Sequence, residues 1–415
     1  MPDADVPALM AALRAAVDGS GPAILPYDAG ADSTASDSTA SDSAASDSAA
    51  SDSGVPDSAA PDSAAPDEVA LVIETSGSTG VPKRVGLSAA ALIASAEASA
   101  DWVAAHAGRA GRARLDGSPV TGRGQWLLCL PGHYVAGTNV LVRSIHAGTE
   151  PVVMPAGHFD ADVFTEFAVQ LTAPERYVSL VPVQLARLVE TAETDAGVLT
   201  VLRRFDALLV GGQALRPELR ERCRELGIRI VRTYGSSETC GGCVYDGEPI
   251  GGTRARVRDS VLELTGPTLA AGYLGDPART SATFDTDERG TRWYRTGDLG
   301  EVAADGRVTV LGRADNVIIS GGEKVLLDAV ERHVKSLPGL ADAIVVAAND
   351  EQWGQVPVVV TTARGVELAR IRSSAAAALG RAAAPARVVV LDTIPHLPSG
   401  KPDRVTLAAL AGANG

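Results

Sequence analysis

The segment Thr75-Ser76-Gly77-Ser78-Thr79-Gly80-Val81-Pro82-Lys83 gathers hydroxyls, glycines and one cation directly after the apolar run VALVIE. Amides and hydroxyls presented by a flexible turn, with a lysine at its end, suit the oxygens of a polyphosphate. The segment is not a Walker A loop. Pro82 stands where glycine should precede the lysine, and Arg84 where Ser or Thr should follow it. Taken alone, a Gly/Ser-rich stretch is equally an ordinary turn. Cys240-Gly-Gly-Cys243 has the spacing of a zinc or redox pair, yet no second CxxC and no nearby Cys/His pair completes four ligands. Its glycines read better as keeping space beside a binding pocket.

Such residues need a scaffold, and the chain supplies the pattern of one. Apolar β-rich runs at 69–74, 126–130, 177–181, 207–210 and 228–234 alternate with helical patterns from Ser88, Pro182 and Pro217. That alternation implies crossover units around a buried, mainly parallel sheet, the signature of an α/β domain. From 251 to 311 short strands broken by Gly and Asp suggest a β-rich subdomain. Beyond Gly312 a helix (326–335), strands (343–348, 356–362), a helix (368–379) and VVVL (388–391) make a small α+β unit. The expected organisation is a short segment 1–31, an acidic repeat 32–68, a large domain 69–312 and a small mobile domain 313–415.

Composition sets outer limits. At 415 residues, 45 % hydrophobic and 21 % charged, the chain suits a large domain and a smaller one with buried cores. Residues 32–66 are seven pentads of the type DSTAS to DSAAP, with little to bury, and are expected to be disordered. From 32 to 68 they bring −9 of the formal charge of −14. The net charge gives no reason to bind nucleic acid. No apolar stretch approaches the roughly 18 to 20 residues that span a bilayer, so no integral membrane segment is expected. The start carries Asp3, Asp5 and Asp18 and lacks a basic region followed by an apolar core, so the cytoplasm is the expected compartment. Four cysteines are too few for a disulfide framework and are expected to be reduced. A homo-oligomer stays open.

Five segments in order, the phosphate segment, TYGSSET (233–239), YRTGDLG (294–300), GRADNVIISGGEKV (312–325) and PSGKPDR (398–404), resemble the acyl-adenylate-forming superfamily of acyl-CoA ligases, luciferases and peptide-synthetase adenylation domains. The resemblance runs from residue 69 to the C-terminus, and the superfamily's longer N-terminal region corresponds here to residues 1–31 plus the repeat. Within it, SETCGGCVYDG (237–247), LVRSI (141–145), LVGGQAL (209–215) and GPAILPYD (21–28) look like the o-succinylbenzoate:CoA ligases of menaquinone biosynthesis, in particular short actinobacterial forms. The implied substrates are ATP with Mg²⁺, a carboxylic acid and coenzyme A.

The resemblance implies roles residue by residue. Joining a carboxylate to the α-phosphate brings two anions together, so cations must stand at defined points. Thr75, Ser76, Gly77, Ser78, Thr79, Gly80 and Lys83 would hold the outer phosphates, Glu238 would meet Mg²⁺, and Thr239 would reach the α-phosphate. Tyr234 would lie against adenine with Gly211-Gly212 on its other side, Asp298 would accept the ribose hydroxyls, and Arg313 would support ribose or phosphate. Lys401, one of four lysines beside 33 arginines, matches the lysine that contacts both reacting anions. Asp315 matches the hinge about which the small domain turns between half-reactions, and Ser320-Gly321-Gly322 would line the pantetheine path. In the acid pocket, His133 and Tyr134 are transposed relative to the family pattern, Gly235 lies beside the acyl group, and Arg143 would face a second carboxylate.

Two other readings remain open on sequence alone: loading of a carrier protein with the same residues, and nucleotide binding without turnover. Lys401, Glu238 and Asp298, all present, oppose the second. Because the pentad repeat has one sign of charge and little hydrophobicity, deleting residues 32–66 is expected to leave turnover and melting temperature nearly unchanged. A large drop in either would show that the repeat docks on the folded body.

Overall fold

Apolar residues at helical spacing put Val6, Leu9, Met10, Leu13 and Ala16 on the buried face of a helix, Val6–Asp18. Asp5 caps its start by accepting the Ala8 amide at 3.1 Å. A computed structural model describes residues 5–28, 68–75, 82–109, 119–397 and 401–413; the pentad repeat and residues 76–81 lie outside them. The fold is mixed α/β. Among the described residues no helix is long and apolar enough to cross a membrane.

A seven-stranded sheet orders Val152–Val153, Gln125–Leu128, Arg176–Leu180, Ala207–Val210, Ile230–Ser236, Gly241–Tyr245 and Glu248–Pro249. The first five are parallel, and the last two turn antiparallel. Parallel neighbours need crossovers, here made by the helices expected from Pro182 and Pro217, Pro182–Ala192 and Pro217–Glu225, among others. Ala207–Val210 is buried along its whole length, as a strand covered on both faces must be. One face packs on Phe164, Leu185, Leu188, Leu202 and Leu219. Helix Val135–Ala147 brings buried Val140, Leu141 and Val142 to the sheet as well.

VALVIE does not join that parallel sheet. It forms Val69–Thr75, antiparallel to Lys83–Ser88, with Gly272–Tyr273 on the far side of Lys83–Ser88. The stretch 76–82 is shorter than the dozen or more residues a parallel crossover needs, so the two strands must run antiparallel.

The chain divides into two compact units, Met1–Arg254 with Thr265–Tyr294, and Ala255–Leu264 with Arg295–Gly415. In the second, Val308–Arg313 pairs antiparallel with the latter part of Arg292–Val302. Its other sheet orders Glu323–Leu326, Val317–Ser320, Gly354–Thr361 and Ile344–Asp350, with Arg387–Val390 parallel to Gly354–Thr361. Alternation along two of these strands gives each face its own core. Val345 and Val359 pack with Val330, Val334 and Ile371. Ile344, Val346, Val358 and Val360 pack instead with Leu407 and Ala411 of the last helix, Arg404–Ala413. Burial of Leu407 and Ala411 fixes the helix that follows Lys401.

Candidate active site

Strand Ile230–Ser236 ends in a single 3₁₀ turn, Ser237–Thr239, and this places Glu238 inside the protein at 8 % exposure. The turn is locked by Thr239, whose hydroxyl accepts the Ser236 amide at 2.9 Å and donates to the Gly241 carbonyl at 2.8 Å. Tyr273 donates to Glu238 Oε1 at 2.7 Å. Burial first, then the neighbouring carboxylate, pushes the Tyr273 phenol well above the usual tyrosine range, so it remains a donor at neutral pH. Lys83 reaches the same place: Tyr273 pairs with Val85, Lys83 shares that face of the strand, and its Nζ lies 5.7 Å from the Tyr273 ring centre. Thr75 is Lys83's partner across the strands. Ser76, Gly77, Ser78, Thr79 and Gly80 lie outside the described residues.

Gly211, Gly212, Tyr234 and Gly235 gather at the carboxyl ends of Ala207–Val210 and Ile230–Ser236, where ligands bind in α/β sheets. Two of these glycines are sterically required. A Cβ on Gly211 would stand 2.4 Å from Thr233 Oγ1, and one on Gly235 1.9 Å from the Gly241 carbonyl oxygen.

The residues assigned to the acid pocket lie along helix Val135–Ala147, which is tied to the same turn. Asn139 donates to the Cys240 carbonyl at 2.8 Å, and Ser95 to the same oxygen at 3.1 Å. His133 and Tyr134, half-buried before the helix, have ring centres 4.0 Å apart. One turn beyond Asn139, Arg143 is 7 % exposed. Its Nη2 donates to Tyr245 Oη at 3.1 Å, Tyr245 donates on to Ser99 at 3.0 Å, and the guanidinium lies 5.1 Å from the Trp126 ring centre. Its Nε is buried with no hydrogen-bond partner, and among the described residues no carboxylate pairs with it. A buried cation without an anion is a costly arrangement unless a ligand completes it.

In the second unit the structure brings Asp298, Arg313 and Asp315 together. Arg313 donates through Nε and Nη2 to Asp315, at 3.1 and 3.0 Å, and through Nη1 to Asp298 at 3.3 Å. The Asp315 fork, helped by Asp298, holds the guanidinium more firmly protonated than usual despite burial. Asp328 braces the segment by accepting from the Arg313 amide at 3.0 Å and from Asn316 at 3.1 Å. Ser320 is buried, and Gly321-Gly322 form the two-residue turn between Val317–Ser320 and Glu323–Leu326 at φ 57° and 84°. That is the turn type in which both central residues need positive φ. Lys401 is exposed, with no bond to its ammonium among the described residues.

Sequence reasoning missed Tyr273, Tyr245, Asn139, Trp126 and Asp328. Tyr245 and Asn139 lay close to motifs already singled out, but a pairing across a hundred residues leaves no local signal.

The carboxyl-edge glycines, the tyrosine and the enclosed glutamate with its lysine define an α/β enzyme built to handle a nucleotide. The chain belongs to the AMP-binding enzyme family, which matches residues 3–273, and the AMP-binding enzyme C-terminal domain matches residues 329–401. A probable 2-succinylbenzoate–CoA ligase of Mycobacterium tuberculosis is 39 % identical over 348 residues, covering 82 % of this chain and 84 % of the relative. The 2-succinylbenzoate–CoA ligase of Bacillus cereus is 31 % identical over 80 % of this chain and 68 % of its own. Among solved structures, o-succinylbenzoate CoA synthetase from Bacillus subtilis, in complex with its acyl-adenylate intermediate, is similar at a TM-score of 0.68 and 26 % identity, over 82 % of this chain and 69 % of that one.

Cys240 and Cys243 are buried and free, and among the described residues no group of three or more His, Cys, Asp or Glu gathers as a metal site. Burial pushes both thiols, and Cys129, up to about 12, and Cys223 up to about 11. Because the thiolate is the reactive form, Ellman's reagent at pH 8 is expected to leave the buried Cys223, Cys240 and Cys243 untouched in the native protein and to titrate all four thiols after unfolding. Fast native labelling at Cys240 or Cys243 would contradict that burial.

Proposed function

We propose that the protein is an ATP-dependent acid:coenzyme A ligase that converts 2-succinylbenzoate to its acyl-adenylate and then to the thioester, a step of menaquinone biosynthesis. The observation that carries the substrate choice is Arg143, a buried guanidinium with an unpartnered Nε and no protein carboxylate. 2-Succinylbenzoate has two carboxylates: the succinyl one is activated, and the ring one is left to meet Arg143. The relatives bearing that name support this reading.

Activation joins anions, and the residues answer that problem. Lys83 and the hydroxyl-rich segment before it hold the outer phosphates. Tyr234 lies against adenine beside Gly211-Gly212, and Asp298 takes the ribose hydroxyls with Arg313 behind it. Thr239 shapes the turn at the α-phosphate. Mg²⁺ fits as a passenger of the nucleotide: Tyr273 occupies one Glu238 oxygen and no described residue donates to the other. One carboxylate plus phosphate oxygens is the usual protein share of a Mg²⁺ shell. When bound, the ion would neutralise phosphate charge. Lys401 brings the attacking carboxylate and the α-phosphate together. The part of the chain from 313 then turns about Asp315, so that Ser320-Gly321-Gly322 meets the pantetheine arm.

Lys401→Ala is expected to lower pyrophosphate release by about 10² to 10³, the effect of losing a transition-state donor worth about 3 to 4 kcal/mol. Conversion of supplied acyl-adenylate to thioester should continue. Normal pyrophosphate release by this variant would remove Lys401 from its role.

Arg143→Met tests the substrate. Replacing a lone buried cation with an apolar chain should hold or raise the melting temperature, while kcat/KM for 2-succinylbenzoate falls by on the order of 10² to 10³. With 4-phenyl-4-oxobutanoate, which lacks only the ring carboxylate, wild type and variant should differ little. Equal wild-type use of both acids would sink the substrate assignment and leave the adenylation mechanism standing.

A further inference from the structure

Lys401 sits in a loop that the chain closes on itself. The Leu397 amide donates to the Lys401 carbonyl at 2.8 Å, the Asp403 amide donates to the Pro395 carbonyl at 2.9 Å, and His396 and Pro402 form an isolated bridge. These bonds tie residues 401–403 to 395–397, not to the rest of the unit. Three residues after the lysine, Arg404 supplies the place. Its Nη2 donates to Glu331 Oε2 at 2.6 Å and its Nη1 to the Val345 carbonyl at 2.9 Å.

Glu331 lies on helix Leu327–Lys335 and is only 8 % exposed. Its carboxylate also accepts from Lys335 Nζ at 2.6 Å and from the Val345 amide at 3.1 Å. Burial alone would raise its pKa, but Arg404 first and Lys335 next hold it below the ordinary carboxylate value. Two cations and an amide thus converge on one enclosed carboxylate. Enclosed, charge-assisted bonds of this kind hold geometry more tightly than surface pairs. The planar fork of Arg404 spans helix and strand at once with a fixed geometry that the single rotating ammonium of a lysine lacks.

We propose that Glu331, acting through Arg404, is a positioning residue for the Lys401 ammonium in the adenylation half-reaction and is dispensable in the thioester half-reaction. The proposal rests on the reading of Lys401 given above. Arg404 opens the last helix, so any drift of its guanidinium is passed to the lysine through two intervening residues. Leu407 and Ala411 anchor the helix by burial and Asp403 caps it by accepting from Thr406 at 3.1 and 2.8 Å; Glu331 adds the charged tie at Arg404, the residue nearest the lysine.

The test uses the full-length protein with 2-succinylbenzoate, ATP and coenzyme A, reading pyrophosphate release and, separately, thioester formation from supplied acyl-adenylate. Glu331→Gln keeps the shape and removes the charge. It should lower kcat of pyrophosphate release by about 10²-fold, the scale of an ångström-sized misplacement, with KM for ATP and the thioester half-reaction near wild type. Arg404→Lys, which keeps the charge and loses the fork, should show the same split at smaller size, and it decides the matter if the glutamine variant does not fold. An equal fall in both half-reactions would mark Glu331 as merely structural, and no fall in either would remove it from positioning; each overturns the proposal. Lys401→Ala run alongside separates the failures. If that variant also releases pyrophosphate normally, the role given to Lys401 is at fault.

Discussion

The first unit is organised around a carboxylate held inside the protein. Glu238 is enclosed and bonded to Tyr273, and three distant stretches of chain converge on it: the strand bearing Lys83, the 3₁₀ turn after Ile230–Ser236, and the strand Gly272–Tyr273. The backbone repeats the tie, since the Ala270 amide donates to the Glu238 carbonyl at 2.9 Å and Arg292 holds the Ala270 and Ala271 carbonyls at 2.6 and 2.8 Å. A buried carboxylate persists only if donors or cations surround it. Tyr273 is the donor that meets this one among the described residues.

Arg143 is the converse case, an enclosed cation with no carboxylate partner among the described residues. Tyr245 and Trp126 hold the guanidinium in place but do not neutralise it. An enclosed charge without a counter-ion costs folding stability. The same turn serves both sites. Cys240, directly after Thr239, accepts from Asn139 one helical turn before Arg143, so the acid end and the nucleotide end share one backbone support.

In the second unit, function is distributed over segments that are individually braced. Arg313 clamps Asp298 and Asp315, Asp328 holds the segment between them, and the Gly321-Gly322 turn packs so closely that a Cβ on Gly321 would stand 2.4 Å from the Trp353 ring.

The sequence by itself determined the local features: the buried strands read from apolar runs, the helices opened by Pro182 and Pro217, and the glycine pair Gly321-Gly322 at a turn that needs positive φ. These are legible because hydrophobic period, proline geometry and the absence of a Cβ act within a few residues. The motif residues Lys83, Tyr234, Glu238, Asp298 and Lys401 were legible for a different reason, their order along the chain. The tertiary structure alone decided that Tyr273 donates to Glu238, that Arg143 has Tyr245 and Trp126 as companions but no carboxylate among the described residues, and that Glu331 holds Arg404. Each of these joins residues separated along the chain through strand register or helix packing, and neither composition nor spacing encodes which distant side chain will fill the remaining coordination of a buried charge.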